Sequence, residues 1–317
     1  MVSKEQRFKN SERAICTGNA EVAADFMKSG GVVIASFGEI YGMFALPTFL
    51  RGNKDRVDGV QKMYEVKGRD TTKPFFSVGS PKHVEYILNA VNKLRDPSLN
   101  KEEERWLSEK IESLFTHLPE NGSLGALLPG DPLLRPALIH SEQDTTGVMA
   151  ASTLGIQIEE LVLQLKTFFA GTSANKSGDP RANGSGANRI APLIADFGEN
   201  PNVCFFVPQS EPSGISSSAV KLNPHNKLME LVRKGNISSE LLMKIAEQAG
   251  FSEGEVIQPE NMKEVSKFDT KTYVGGEEAM AYIFDELISS TTQTSYQQIA
   301  PALIGLACKD WNPPQQD

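Results

Sequence analysis

Short apolar runs alternate with amphipathic helical segments along most of this chain, and that alternation is the strongest constraint on its fold. The runs at 32–36 and 204–208 have the length and composition of buried strands. Between such runs lie segments such as residues 19–29, in which Val22 and Phe26 recur at helical spacing. Strands that alternate with covering helices predict an α/β domain built on a central sheet.

Breaks in this pattern divide the 317 residues into three parts. Residues 1–18 are polar and are predicted to lack regular structure. Residues 19–250 carry the alternating pattern and are predicted to form the main domain. Residues 251–317 contain an amphipathic helical segment and a second helical stretch that Pro301 interrupts. They are predicted to form a small, mainly helical extension.

Local signals predict where several elements begin and end. Ser80 precedes a helix as its N-cap, and Asn100 has capping-box spacing to Glu103 at the start of the next helix. A further helix is predicted at 225–233. The glycine-containing segment 38–42 is predicted to break the strand before it.

Composition argues against several classes of function. The chain has 32 Lys and Arg against 40 Asp and Glu, for a formal net charge of −8, whereas nucleic-acid-binding proteins usually carry the opposite sign. Its three cysteines and four histidines are scattered without metal-ligand spacing, so we predict neither a disulfide scaffold nor a protein-ligated metal. The apolar runs are shorter than the ~18 residues that a membrane helix needs, and no apolar secretory leader is visible. A cytoplasmic location is the resulting expectation.

Four polar segments are candidates for a binding site. Lys67 and Arg69 stand two residues apart at a predicted helix end and could converge on one anion, although such a pair is also typical of a solvated helix C-terminus. Residues 172–178 place small hydroxyl and amide side chains after a strand, which suits a phosphate and is equally typical of a plain loop. Segments 216–218 and 231–237 add hydroxyl groups and cations, and each alone is typical of a surface turn.

Taken in order, these segments resemble the YrdC-like family, which includes the threonylcarbamoyl-AMP synthases. The matching segments are GGVVIASFGEIYGM (30–43), YEVKGRDTTKPF (64–75), TSANKSGDPRAN (172–183), SSAVKL (217–222) and LVRKGNIS (231–238). The resemblance covers residues 20–245, roughly the predicted main domain. It implies an open, twisted mixed sheet with flanking helices.

The resemblance also implies a nucleotide site. The residues assigned to it are Lys67, Arg69, Lys73, Ser173, Asn175, Ser217 and Arg233. In the family, the positions of Lys67 and Arg69 stabilise charge while a carboxylate attacks the α-phosphate of ATP, so both are the catalytic candidates. The implied cofactors are ATP with Mg²⁺ held through the nucleotide, and bicarbonate as a possible co-substrate.

The implied substrate pocket departs from the family pattern. Phe37 stands where the family has a threonine hydroxyl, and Met149 stands where it has the arginine that binds the substrate carboxylate. Glu39 adds a negative charge in the same segment as Phe37, and Tyr41 completes the predicted pocket. The histidine that the family places after its Lys-x-Arg pair falls at Val78.

Three functions fit these observations. The leading hypothesis is an ATP-dependent enzyme that forms a carbamoyl- or acyl-adenylate and releases pyrophosphate. Its substrate would be a small acid or amino-acid-like molecule other than threonine. One alternative is an authentic threonylcarbamoyl-AMP synthase for transfer-RNA modification. Another is a non-catalytic module that binds a nucleotide or RNA, for which the acidic balance makes RNA the weaker choice.

Overall fold

A single mixed sheet organises the part of the chain that the computed structural model describes. Those residues are 14–47, 59–70, 73, 75–120, 122–131, 139–140, 145–151, 161, 163–165, 169–179, 187, 190–206, 212, 214–260 and 262–264. The amphipathic helical segment predicted beyond residue 264 lies outside them. Within them, the sheet contains thirteen strands.

The strands and helices follow one another in a mixed α/β order. The strands are β1 (Ile15–Thr17), β2 (Val32–Phe37), β3 (Ile40–Ala45), β4 (Phe76–Gly79), β5 (Ser123–Pro129), β6 (Ile139–His140), β7 (Thr145–Ala151), β8 (Phe169–Ser173), β9 (Val203–Phe206), β10 (Ser218–Asn223), β11 (Leu228–Lys234), β12 (Val256–Ile257) and β13 (Lys263–Glu264). The helices are α1 (Ala20–Lys28), α2 (Gly59–Lys67), α3 (Val84–Leu94), α4 (Lys101–Thr116), α5 (Ile190–Phe197) and α6 (Ser239–Gln248).

Neighbouring strands run both parallel and antiparallel. The order across the sheet is β1-β9-β2-β3-β8-β4-β7-β5-β10-β11-β12, with β13 beside β11 and β6 beside β7. For example, β2 is antiparallel to β3 and parallel to β9, whereas β7 is parallel to β4 and antiparallel to β5. The expectation of an open mixed sheet with flanking helices is confirmed.

Helices cover both faces of this sheet. On one face, α2 and α5 pack on β2 and β3, while α4 and α6 pack on β5, β10 and β11. On the opposite face, α1 packs Phe26 and Met27 against Val33 and Phe206. Every residue of β2 and β3 is buried, and this explains why the sequence of β2 contains a continuous apolar run.

Capping residues fix two helix starts as predicted. Asn100 and Glu103 form a complete capping box: the Asn100 side chain accepts from the Glu103 N–H at 3.1 Å, and the Glu103 carboxylate accepts from the Asn100 N–H at 2.9 Å. The Ser80 hydroxyl accepts from the Lys82 N–H at 3.2 Å, and one 3₁₀ turn then leads into α3. Both predictions rest on local chemistry, and both are confirmed.

Strand pairing makes one predicted element wrong and continues the sheet after another. Residues 225–233 do not form a helix, since most of the segment is β11, which pairs with β10 in antiparallel register. Met229 and Leu231 are buried at a spacing of two, and Lys227 in the connecting turn has a φ of 57°. The predicted break after the 32–36 strand is confirmed, because β2 ends at Phe37. Gly38 and Glu39 form a two-residue turn, and the chain returns at once as β3.

The N-terminal boundary also differs from the prediction. Polar composition predicts no regular structure in residues 1–18, yet Ile15–Thr17 forms β1 beside β9. Cys16 is buried with 1% of its surface exposed. At the other end, Val256–Ile257 and Lys263–Glu264, within the predicted extension, pair with β11. These short strands find their partners far away in sequence, so composition alone does not reveal them.

Candidate functional site

A cavity of about 470 Å³ lies over the central strands of the sheet. It brings together all seven residues predicted to bind a nucleotide: Lys67, Arg69, Lys73, Ser173, Asn175, Ser217 and Arg233. Four of these side chains are cations, and Asp179 is the one carboxylate among the described lining residues. Such an excess of positive charge suits a ligand that carries several negative charges.

The end of α2 delivers two of these cations. Gly68, with a φ of 61°, ends the helix: its N–H donates to the Glu65 carbonyl at 3.2 Å, and the Arg69 N–H donates to the Tyr64 carbonyl at 3.0 Å. This is a Schellman ending, in which a left-handed glycine stops the helix and turns the chain. Lys67, the last helical residue, is 2% exposed and lines the cavity.

The Lys67 ammonium holds the loop that follows β8. Its Nζ donates to the backbone oxygens of Ser173 at 2.5 Å and Asn175 at 2.6 Å, and it lies 3.4 Å from Asn175 Oδ1. In the reverse direction, the Ser177 N–H donates to the Lys67 carbonyl at 2.8 Å. An ammonium has three N–H donors, and these three acceptors account for them. Lys67 therefore offers the cavity its charge, while its hydrogen bonds position the loop.

Burial makes this charge sensitive to its surroundings. Removal from water lowers the pKa of Lys67 to about 7, and repulsion by Arg69 adds to the shift while Asp179 opposes it. The charged form of this side chain is therefore less favoured than that of a lysine in water. A bound anion would favour the charged form, so anion binding and proton uptake are coupled at this residue.

Arg69 lies between a backbone carbonyl and an aromatic ring. Its Nε donates to the Lys73 carbonyl at 2.9 Å, and its guanidinium is 5.3 Å from the centre of the Phe75 ring. The Tyr64 hydroxyl donates to the same carbonyl at 3.1 Å. Burial lowers the pKa of Arg69. The Lys73 side chain is exposed at the edge of the cavity.

Ser173 and Asn175 are tied to each other. The Ser173 hydroxyl donates to Asn175 Oδ1 at 2.6 Å, and Asn175 Nδ2 donates to the Lys176 carbonyl at 2.9 Å. Asn175 is 7% exposed. The amide thus shapes the loop, and the Ser173 side chain is the more exposed of the two groups.

Arg233 and Ser217 reach the cavity from the β10–β11 hairpin. Arg233 Nε donates to the Ser217 carbonyl at 2.9 Å, and the Ser217 hydroxyl donates to the sulfur of Met149 at 3.4 Å. Burial lowers the pKa of Arg233. A Cβ added at Gly235 would collide with the backbone of Ser216 and Ser217, so only glycine fits beside this part of the site.

The structure brings two of the four predicted substrate-pocket residues to the cavity. Phe37 and Met149 line it. Tyr41 does not, because alternate residues of a strand point to opposite faces, and its neighbours Ile40 and Gly42 face the cavity. The Tyr41 side chain is instead buried in the core beneath α2. The structure therefore does not bring the Tyr41 side chain to the cavity.

Glu39 also lies apart from the cavity lining. It occupies the β2–β3 turn, where its backbone carbonyl accepts from the Gly214 N–H at 3.1 Å. A Cβ at Gly214 would collide with the Glu39 carboxylate, so the side chain packs against this neighbouring loop. Glu39, predicted to be part of the substrate pocket, is therefore not among the residues that the structure places at the cavity.

Sequence reasoning missed most of the apolar lining. Besides Phe37 and Met149, the apolar side chains that line the cavity are Ile40, Phe44, Phe76 and Val78. The signal that could have found them is the strand period of two: once Phe37 faces the pocket, alternate residues of the adjoining strand do so too. That inference needed β3, which the glycine at position 42 obscured.

Neither a metal centre nor a membrane span is found in the described part of the chain. No group of three or more His, Cys, Asp or Glu side chains there is placed to hold a metal ion. No helix among those residues is long and apolar enough to cross a membrane.

Comparison with solved structures identifies the fold. The crystal structure of P. abyssi Sua5 in complex with L-threonine matches with a TM-score of 0.52 at 18% identity, over 78% of this chain and 62% of that chain. The chain has the Sua5/YrdC-like fold. A double variant of P. abyssi Sua5 gives the same TM-score at 19% identity, over 78% of this chain and 61% of that chain. E. coli YciO gives a TM-score of 0.45 at 11% identity, over 70% of this chain and 94% of that chain.

The similarity of this chain to the Sua5 structures is a similarity of fold. No protein-family model and no curated protein matches the sequence. The match spans about three fifths of the length of the Sua5 structures. A likeness at this identity concerns the fold, whereas function depends on the residues of the site.

Proposed function

We propose that the protein is an ATP-dependent enzyme that forms a carbamoyl- or acyl-adenylate from an acid other than threonine. The observation that carries this proposal is the convergence of Lys67, Arg69, Lys73 and Arg233 on one cavity. Three of them are attached to backbone carbonyls of the site, so their charges are held in place before a ligand arrives. Preorganised charge of this kind is what a polyphosphate substrate requires.

The proposed reaction needs little covalent chemistry from the protein itself. A carboxylate oxygen of the acid attacks the α-phosphorus of ATP, a new P–O bond forms, and the bond to pyrophosphate breaks. The leaving pyrophosphate carries away the electron pair and its negative charge. Fixed cations stabilise that charge. The hydroxyl groups of Ser173 and Ser217 donate to Asn175 Oδ1 and to the Met149 sulfur in this structure, and each can rotate to donate to a phosphate oxygen instead. Magnesium enters with the nucleotide, held by phosphates and water, and bicarbonate is the further co-substrate if the product is a carbamoyl-adenylate.

The proposal includes the choice of acid and the cellular setting. Phe37 and Met149 line the cavity where the family resemblance leads us to expect a hydroxyl and an arginine. Replacing the charged partner of a buried carboxylate by a neutral group costs about 2–5 kcal/mol, which weakens binding roughly 30- to several-thousand-fold. Threonine would therefore be a poor substrate. We place the reaction in the cytoplasm, as the sequence suggests, with a small acid or amino-acid-like molecule as partner.

ATP–pyrophosphate exchange tests the proposal directly. Exchange should require both ATP and an acid, and Arg233→Met should reduce it by at least about a hundredfold, because a buried charge contact to phosphate is lost. Lys227→Met is the matched control, since Lys227 pairs with Glu102 on the surface at 2.8 Å. Lys227→Met should retain full exchange. Absence of ATP binding in a calorimetric titration would contradict the proposal.

A second candidate is an authentic threonylcarbamoyl-AMP synthase. It is favoured by the likeness to a Sua5 structure that holds L-threonine. The same exchange assay with L-threonine and bicarbonate decides between the two candidates. Under our proposal the unmodified protein turns over threonine poorly, and the double variant Met149→Arg, Phe37→Thr improves it. If the unmodified protein matches the double variant, the second candidate replaces the first. ATP binding without exchange by any acid would instead leave a nucleotide-binding module.

A further inference from the structure

One wall of the cavity is apolar and comes from adjoining strands. Phe37 belongs to β2, Phe44 to β3, Phe76 and Val78 to β4, and Met149 to β7. Val78 and Met149 are direct neighbours in the parallel pairing of β4 with β7. The rings of Phe37 and Phe44 meet edge to face, with their centroids 5.8 Å apart. We call these five side chains the apolar wall.

Glycines on the same face of the sheet set the shape of the apolar wall. The ring of Phe76 lies over Gly147, where an added Cβ would be 2.5 Å from a ring carbon. The ring of Phe44 covers Gly42 in the same way. Both rings lie against bare backbone, and both line the cavity. A side group of a ligand can therefore reach the rings.

The apolar wall adjoins the cationic side of the cavity at two places. The sulfur of Met149 is 3.4 Å from the Ser217 hydroxyl, and the Ser217 carbonyl accepts from Arg233. Phe76 is paired in register with Gly171, which lies two residues before Ser173. The acyl carbon of an adenylate is one oxygen away from its α-phosphorus. A phosphate held by the cations therefore brings the acyl group next to the apolar wall.

Resting on the proposed function, we infer that the acid activated in this cavity carries an apolar side group that packs against Phe76, Val78 and Met149. We assign this group to the branched aliphatic or phenyl class. The apolar wall contains no charged side chain and no hydrogen-bond donor, and its one polar atom, the Met149 sulfur, already accepts from the Ser217 hydroxyl. A hydroxyl or ammonium placed there would lose its water without gaining a partner, which is unfavourable. A hydrophobic pocket discriminates by about 10- to 200-fold for each methylene of the substrate.

A pair of acids of equal shape gives the sharpest test. Isovalerate and 3-hydroxybutyrate differ by a methyl group in place of a hydroxyl. In ATP–pyrophosphate exchange, we expect kcat/KM for isovalerate to exceed that for 3-hydroxybutyrate by about a hundredfold. Equal rates, or a preference for the hydroxy acid, would overturn the inference.

Two valine variants connect this preference to the apolar wall. Val78→Thr places a hydroxyl in the wall without changing its shape and should reduce the preference at least tenfold. Val220→Thr makes the same exchange in β10, where Val220 is buried in the core beneath α4 and α6, and should leave the preference unchanged. Thermal unfolding checks that both variants fold. If Val78→Thr does not fold, Met149→Gln takes its place. An unchanged preference in the folded wall variant would refute the inference.

Direct binding separates a failure of this inference from a failure of the proposed function. Saturation-transfer NMR with both acids and an ATP analogue whose α–β bridge is a methylene group measures binding without turnover. If no acid supports exchange but isovalerate binds more tightly than 3-hydroxybutyrate, the proposed adenylate formation is refuted. The inference that the apolar wall binds an apolar side group then stands. If neither acid binds, or if adenosine displaces isovalerate, the wall does not hold the acid and the inference fails.

Discussion

Replacing Lys67 by methionine tests whether its ammonium holds the loop after β8. The change keeps an unbranched side chain and removes the donor to the carbonyl oxygens of Ser173 and Asn175, which lie 2.5 and 2.6 Å from Nζ. It preserves the 2.8 Å hydrogen bond from the Ser177 N–H to the backbone carbonyl of position 67. The variant therefore separates the contribution of the charge from that of the backbone contact.

Two opposing energies set the effect on stability. A pKa lowered from 10.5 to about 7 means that the protonated side chain destabilises the native state by about 5 kcal/mol below pH 7. Removing that cost favours the variant. Each of the two carbonyl groups that loses its donor costs about 1–3 kcal/mol. At pH 6 the free energy of unfolding should therefore change by less than about 3 kcal/mol.

The pH dependence of stability is the clearer signal. Between pH 7 and 10.5 the unfolded chain keeps Lys67 protonated while the native state releases the proton. The free energy of unfolding therefore rises with pH in this window. From these two pKa values, Lys67 adds about 3 kcal/mol of stability between pH 6 and pH 9. This contribution disappears in Lys67→Met.

Denaturant unfolding at pH 6 and pH 9, together with calorimetric titration of ATP, measures both effects. Lys67→Met should lose the stability gain and bind ATP at least about tenfold more weakly. Lys110→Met is the matched control, because Lys110 Nζ also donates to two carbonyls, of Ala249 and Gly250 at 2.7 Å each, outside the cavity. It should keep the affinity and most of the gain; burial also lowers the pKa of Lys110, so this side chain makes a contribution of its own. Our reasoning is refuted if Lys67→Met retains the full gain or binds ATP as tightly as the unmodified protein.

Three further substitutions test how the sheet and helices are built. Gly42→Ala drives a Cβ into the Phe44 ring, so we expect a loss of about 1–3 kcal/mol in thermal unfolding and weaker binding in the cavity. Gly235→Ala places a Cβ against backbone atoms of Ser216 that cannot rotate away, so it should lower the free energy of unfolding at least as much as Gly42→Ala does. A melting temperature equal to or higher than that of the unmodified protein would contradict this geometry. Asn100→Ala removes the capping box and should cost about 0.5–2 kcal/mol in denaturant unfolding, with ATP affinity unchanged.

Local chemistry made several features predictable from the sequence. The capping box at Asn100 and the N-cap at Ser80 depend on residues a few positions apart, so they can be read without knowing the tertiary fold. The Lys67 and Arg69 pair was predictable in the same sense, because a glycine between them marks a helix end. Their convergence with Arg233 in one cavity followed from the family resemblance, and no local pattern contains it.

Other features depend on contacts that are distant in sequence. Residues 225–233 are predicted as a helix from the sequence, but two apolar positions in a short segment fit either a strand or a helix. The segment forms a strand because it pairs with β10. Gly42 resembles a strand breaker until Phe44 is seen to fill the space above it. The hydrogen bonds of Lys67 were equally hidden, since their acceptors are backbone oxygens more than a hundred residues away.

The first strand of the sheet limits how far the N-terminal end of the chain can be shortened. β1 runs parallel to β9, with Thr17 opposite Phe206, and so covers one edge of a strand whose four residues are all buried. A chain shortened to begin at Asn19 would keep every cavity residue. It would also expose the hydrogen-bonding groups of β9 along an apolar edge, which is a template for aggregation. Trimming the polar start of this chain should therefore stop short of β1.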